Sequence, residues 1–143
     1  MLAAVKNIVR VPFRVKILII IVIVLSIYSN LLFRFFSKQA RFGTLSNKVI
    51  GQAFVSEPLL IEIAYAIRVV SKYTFWTNLC RHQAYQARII CRHLHIPYAV
   101  YVGFTKHEAG TMVKGHAWTM VNGRMITGFC DPASYTVHSI FVG

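Results

Sequence analysis

The chain changes its hydrophobic period once, and the change sits at His95-Ile96-Pro97. Proline biases the residue before it away from helix, so a helix must end there. Upstream, Leu59, Leu60, Ile63, Ile67 and Val70 recur at helical spacing and predict a helix over 56–73. Ser56 is its N-cap candidate, with Glu57 in the first turn and Pro58 at the start. A second helix is expected over 78–94, capped by Thr77 or Asn78. Its inner face would carry Cys80, Ala84, Ala87, Cys91 and Leu94. Downstream everything reads as strand. Tyr98–Phe104 is rich in β-formers. Thr105 to Gly110 reads as a loop. Residues 111–121 and 124–129 flank Asn122-Gly123, a two-residue hairpin signal, and Tyr135 to Val142 is a last strand. Helices followed by an antiparallel sheet make an α+β fold.

Ahead of these elements lies a different kind of segment. Every charged residue in 1–48 is basic, and Ile17 to Leu25 is uninterrupted apolar sequence. The apolar stretch runs on to Leu31-Leu32-Phe33. At 17–33 it is at the short end of the roughly 17–25 residues that span a bilayer. Arg14 and Lys16 stand on one side, Arg34 and Lys38 on the other, so charge gives no orientation. Three readings compete: a secretory signal, a helix docked on the protein or lying at an interface, and a true span. Leu31-Leu32-Phe33-Arg34-Phe35-Phe36 offers no small-residue cleavage site, which disfavours the first. The expected division is a basic, hydrophobic N-terminal helical segment over 1–48 and a core over 49–143.

Composition excludes some function classes. Sixteen Lys and Arg stand against four Asp and Glu, a net charge of +12. The apolar share, 56%, is too high for a disordered basic tail. The charge is spread and no nucleic-acid motif accompanies it, so nucleic acid is not expected as a partner. An anionic membrane surface or an acidic peptide fits better. The three cysteines, Cys80, Cys91 and Cys130, are odd in number and fit no disulfide framework. Free thiols in a reducing, cytoplasmic compartment are the default, with membrane association through 17–33 as the alternative address.

One of those thiols stands where chemistry would want it. A thiolate is the nucleophile, and position 80 lies in the first turn of a predicted helix, where free N–H groups and the positive end of the dipole lower a thiol pKa. Cys91, mid-helix, reads as a small buried hydrophobe. A base is needed beside the nucleophile, and His116, in Gly115-His116-Ala117-Trp118 on a predicted strand, is the candidate. The remaining histidines, His82, His93, His95, His107 and His138, read as surface or element-end residues. A two-residue turn at Asn122-Gly123 would pair Val121 with Arg124 and His116 with Phe129. That register puts His116, Trp118, Met120, Met125, Thr127, Phe129 and Asp131 on one face. Asp131 could then orient the imidazole, or it could be a turn residue at Asp131-Pro132. Zinc is the rival use of Cys80-x-His82 and Cys91-x-His93-x-His95. Residues two apart on a helix point to different sides, and no Cys-x-x-Cys or His-Glu-x-x-His occurs, so no metal is expected. No phosphate-binding Gly-rich loop is present either, and no cofactor is expected.

The order of cysteine at a helix start, then His-Ala-Trp, then Asp-Pro resembles the transglutaminase-like branch of the papain superfamily. Phe75-Trp76-Thr77-Asn78-Leu79-Cys80-Arg81-His82-Gln83-Ala84 is similar to the "Pro-Trp … Cys-Leu-x-Gln-Ala" stretch of lasso-peptide maturation B proteins. His95-Ile96-Pro97 with Val102-Gly103-Phe104, and Gly115-His116-Ala117-Trp118 with Met125-Ile126-Thr127-Gly128, resemble further motifs of that family. The N-terminal segment and the tail Tyr135–Phe141 are also similar. The likeness is firmest over 75–128. It departs at Arg81, where the family usually has Leu. It departs again at Gly128, where some members place a third catalytic residue. The resemblance implies a catalytic helix packed on an antiparallel sheet, preceded by N-terminal hydrophobic helices. It implies a cysteine peptidase with Cys80, His116 and Asp131 as catalytic residues, removing the leader from a ribosomally made lasso precursor. A separate leader-binding protein and a lasso cyclase would be its partners. Acyl transfer to an amine, and a membrane-associated scaffold without activity, remain the alternatives.

Overall fold

The computed structural model describes residues 11–36, 41–46, 54–105 and 113–143. Its elements run α1 (Phe13–Phe35), β1 (Thr44–Leu45), α2 (Glu57–Tyr73), α3 (Cys80–His93), β2 (Ala99–Thr105), β3 (Gly115–Val121), β4 (Arg124–Thr127), a 3-10 turn (Pro132–Ser134) and β5 (Tyr135–Val142). The expected boundary between residues 48 and 49, most of the loop over 105–110, and residues 111–112 of the expected strand lie outside the described residues. The architecture is α+β: helices packed on a five-stranded antiparallel sheet of order β1-β5-β2-β3-β4.

The two predicted helices form close to their expected limits. In α2, Leu60, Ile63, Ile67 and Val70 are buried, and Leu59 is half-buried. In α3, Ala84, Ala87 and Cys91 are fully buried, small enough to let the helix axis approach the sheet. Leu94 departs from the expected inner face. It lies past the last helical residue and is exposed. Val100, Ala117, Val121 and Ile126 close the core from the sheet side.

The hairpin forms at Asn122-Gly123, with φ of 50° and 73°, as a tight two-residue turn requires. Val121 pairs with Arg124 and Met120 with Met125, but the ladder then slips, and Thr119 faces Thr127. Ile126 is the extra residue of this bulge, and it is fully buried. The slip lets the Thr127 hydroxyl donate to Thr119 Oγ1 at 2.9 Å inside the core. It also corrects the expected faces: beyond the bulge Thr127 shares a face with Thr119, not with Trp118, and His116 has no ladder partner at Phe129. The register that placed Asp131 on the His116 face does not survive.

Helix α1 is long and apolar enough to cross a membrane. Yet Val15, Ile19, Val22, Ser26 and Ser29, spaced four and three apart, are buried against the domain. The polar members of that face tie down the segment that leads into α3. Trp76 Nε1 donates to Ser26 Oγ at 3.1 Å, Gln86 Nε2 to Ser29 Oγ at 3.1 Å and to Asn78 Oδ1 at 2.9 Å, and Asn30 Nδ2 to the Thr77 carbonyl at 2.7 Å. Most buried polar groups are satisfied in this way. We expect Gln86→Met to destabilise the fold by about 1–3 kcal/mol, because it strips the Ser29 and Asn78 oxygens of a buried donor. Urea unfolding measures this, and an unchanged midpoint would show the amide to be dispensable.

Candidate active site

Cys80 is the first residue of α3. The N-cap is Leu79, not the expected Thr77 or Asn78, and the Asn78 side-chain oxygen accepts from Gln86 instead. The capping is done from inside the helix. The Leu79 N–H donates to His82 Nδ1 at 3.1 Å, the reach-back half of a capping box with imidazole in place of the usual Glu or Gln. The Leu79 carbonyl accepts from His82 and Gln83. The N–H groups of Cys80 and Arg81 therefore have no carbonyl one turn back within the helix.

His82 is not the surface residue the sequence suggested. It is 2% exposed, with Phe33 of α1 edge-on at 5.0 Å between ring centroids. Burial first, and the Arg81 charge second, push its pKa down to about 4. It is a neutral structural histidine whose Nδ1 lone pair is committed to Leu79. Its position three residues after the N-cap, where Glu or Gln usually stands, is the signal that could have revealed it.

His116 lies at the start of β3, half-buried. Its Nε2 stands 2.9 Å from the Gly128 carbonyl oxygen. A carbonyl can only accept, so Nε2 carries the proton and a neutral ring has its lone pair on Nδ1. Tyr135 stacks on the imidazole at 5.3 Å and Trp118 flanks it at 6.2 Å. Trp118 is buried in turn beneath Tyr101, stacked at 5.6 Å. The aromatic shelf and the carbonyl together fix the ring plane.

Gly128 must be glycine. Its φ of +65° is left-handed, and a Cβ would drive into the Ala117 carbonyl and lie 2.9 Å from Trp118 Cα. This approach carries its own carbonyl to His116. Asp131 makes different bonds. One carboxylate oxygen accepts from Ala133 N–H at 3.1 Å, the other from Ser134 Oγ at 3.2 Å, so it caps the 3-10 turn in the exposed position of a turn residue.

The segment 128–130 links the two chemical groups. Its first residue holds His116. At its end the Cys130 thiol is raised by burial first, then by the Asp131 charge and by the neighbouring Cys80. Strand alternation sets Ala117 and Val121 in the core with α3, and His116 beside Trp118 on the aromatic face. Cys80 packs against that core, and His116 points to the other face of β3. No hydrogen bond joins them among the described residues. Cys91 is fully buried and pushed up to about 12, an inert thiol. Among the described residues no three His, Cys, Asp or Glu side chains converge as a metal site.

A helix headed by a cysteine, laid on an antiparallel sheet that carries a histidine, makes this an α+β domain. A family model for the transglutaminase-like superfamily matches residues 23–139, and the chain belongs to that superfamily. Its members are typically Cys-His-Asp enzymes. The match begins inside α1, which is thus partly within the family domain. No curated protein and no solved structure matches the chain.

The state of His82 sets a pH dependence. Its pKa of about 4 in the fold lies below the ordinary 6.5, so between the two the unfolded chain binds the extra proton. Its contribution is complete above pH 6.5 and drains away as pH falls toward 4, by at most about 3 kcal/mol. His82→Gln keeps an acceptor for Leu79 but does not titrate. We expect the parent chain to lose stability relative to that variant across this window in urea titrations, and parallel curves would exclude His82 as the source.

Proposed function

We propose that the chain is a cysteine peptidase that removes the leader from a ribosomally made lasso-peptide precursor. Cys80 is the nucleophile and His116 its base. The observation that carries the reading is the His116–Gly128 hydrogen bond. It supports a ring held with Nδ1 free to take a proton, which is what the base of a thiol site needs. His116 Nδ1 takes the Cys80 proton, and the thiolate attacks the scissile carbonyl. The Cys80 and Arg81 N–H groups at the helix start are candidates to hold the oxyanion. The amine leaves with the proton from His116, and water releases the acyl group from the thioester. The Gly128 carbonyl takes the orienting role first assigned to Asp131, whose bonds serve the turn. The peptide specificity comes from the likeness over 75–128, and with it the need for a separate leader-binding protein and a cyclase.

Three variants test this in a purified cleavage assay with precursor and leader-binding protein. Cys80→Ala is expected to abolish cleavage with the thermal unfolding curve unchanged, and undiminished cleavage would remove the assignment. Gly128→Ala, strained and displaced from His116, is expected to cost about a hundredfold in kcat, the low end of what general acid–base catalysis contributes. Asp131→Ala is expected to keep most of the rate, and its total loss would return the third role to the carboxylate. Mass spectrometry of the product separates water from an amine as the acyl acceptor.

A further inference from the structure

The outer face of α1 has no partner. Phe13, Ile17, Ile20, Val24, Leu31 and Phe35 are exposed along it, Ile20 and Val24 to 61%. At 100° per residue this stripe lies opposite the docked face of Val15, Ile19, Val22, Ser26 and Ser29. It runs the whole helix, about 34 Å at 1.5 Å per residue. Exposed apolar surface of that extent marks an interaction site.

Beside the stripe is a groove of about 510 Å³ lined by Tyr28, Tyr85, Arg88, Arg92, His93 and His95. Tyr28 belongs to both, half-exposed on α1 and 6.4 Å from the Tyr85 ring. A second groove, of about 340 Å³, shares Arg88 and Arg92 and adds Arg41. No acid lines either groove among the described residues. The described acids are engaged elsewhere: Glu62 with Arg14, Glu57 with Arg124, and Asp131 in its turn. Arg88 Nε is buried without an acceptor among the described residues.

We propose that α1 lies in the plane of an anionic bilayer surface, its outer stripe among the acyl chains and the Arg88–Arg92 groove against lipid phosphates. A span is disfavoured because the opposite face is docked from Val15 to Ser29. It hydrogen-bonds the polar segment before Cys80, which would have to enter the hydrocarbon with it. A second copy is disfavoured by charge. Pairing the stripes of two +12 chains would bring acid-free basic grooves together. The stripe is a convex ridge on a single helix, a shape that a fluid bilayer covers. Tyr28 at the margin suits the headgroup level.

The test is co-sedimentation of the full chain with vesicles of phosphatidylcholine alone and of phosphatidylcholine mixed with phosphatidylglycerol. Binding to the mixture is expected to be at least tenfold tighter and to weaken with salt. Val24→Asp, at an exposed position, is expected to lose binding with an unchanged unfolding curve. Arg92→Gln is expected to narrow the preference for anionic vesicles. Equal binding to both vesicles would overturn the headgroup contact, and undiminished binding by Val24→Asp would overturn the role of the stripe. No vesicle binding, with a dimer that Val24→Asp dissolves, would give the face to a second copy. Loss of the preference in inorganic phosphate, beyond that in chloride of equal ionic strength, would make the groove a site for free phosphate. Cys80→Ala is expected to bind as the parent does, so this outcome is independent of the peptidase reading.

Discussion

The hydrogen bond from His116 Nε2 to the Gly128 carbonyl decides what the imidazole can be. An acceptor that never donates pins the proton on one nitrogen and leaves the other as a base. A carboxylate in that place would do the same and also favour the charged ring. A carbonyl offers a dipole instead of a full charge, so it fixes the tautomer while stabilising imidazolium less. Delivering a carbonyl rather than a side chain needs a backbone in the left-handed region pressed against β3, and glycine alone accommodates both. The bulge at Thr119/Met120 and the turn at Gly128 together end β4 and send the chain toward Cys130.

A second constraint acts from the other side. The segment that precedes Cys80 is held in place by α1. Ser26, Ser29 and Asn30 bond to Trp76, Gln86 and the Thr77 carbonyl. The most membrane-like segment of the chain is thus part of the frame of the candidate site. Ser26, Ser29 and Asn30 interrupt the apolar run because they face the protein, while the stripe from Phe13 to Phe35 opposite them stays apolar.

Much of this was legible in residues. The spacing of Leu60, Ile63, Ile67 and Val70 located α2, and Pro97 located the end of α3. Tyr135 to Val142 marked β5 to the residue, and Asn122-Gly123 gave the hairpin its turn. The faces of β4 were not legible, because a bulge is decided by whether an extra residue such as Ile126 finds a hole in the core, and periodicity is blind to that. The face read for Asp131 was counted through the same bulge, and its bonds are those of the turn residue that the sequence also allowed. His82 escaped because a capping imidazole looks, in sequence, like any helix histidine. Which face of α1 meets the domain was not legible either, because it is fixed by long-range bonds to residues some fifty positions away.

The two interior histidines and the three thiols make one argument about selectivity. His82 is enclosed, neutral and committed at Nδ1, so it can shape the helix start but not accept the proton of a nucleophile. His116 is half-buried and committed at Nε2, which leaves the lone pair of a neutral ring on the opposite nitrogen. Burial pushes Cys91 up to about 12, and Cys130 is raised by burial and by the Asp131 charge. Cys80 heads a helix beside N–H groups that lack intrahelical acceptors. The fold sorts like side chains by which atom is already bonded and how much water each retains. Through that sorting, Cys80 and His116 differ from the other thiols and from the buried His82 in the atoms they leave uncommitted.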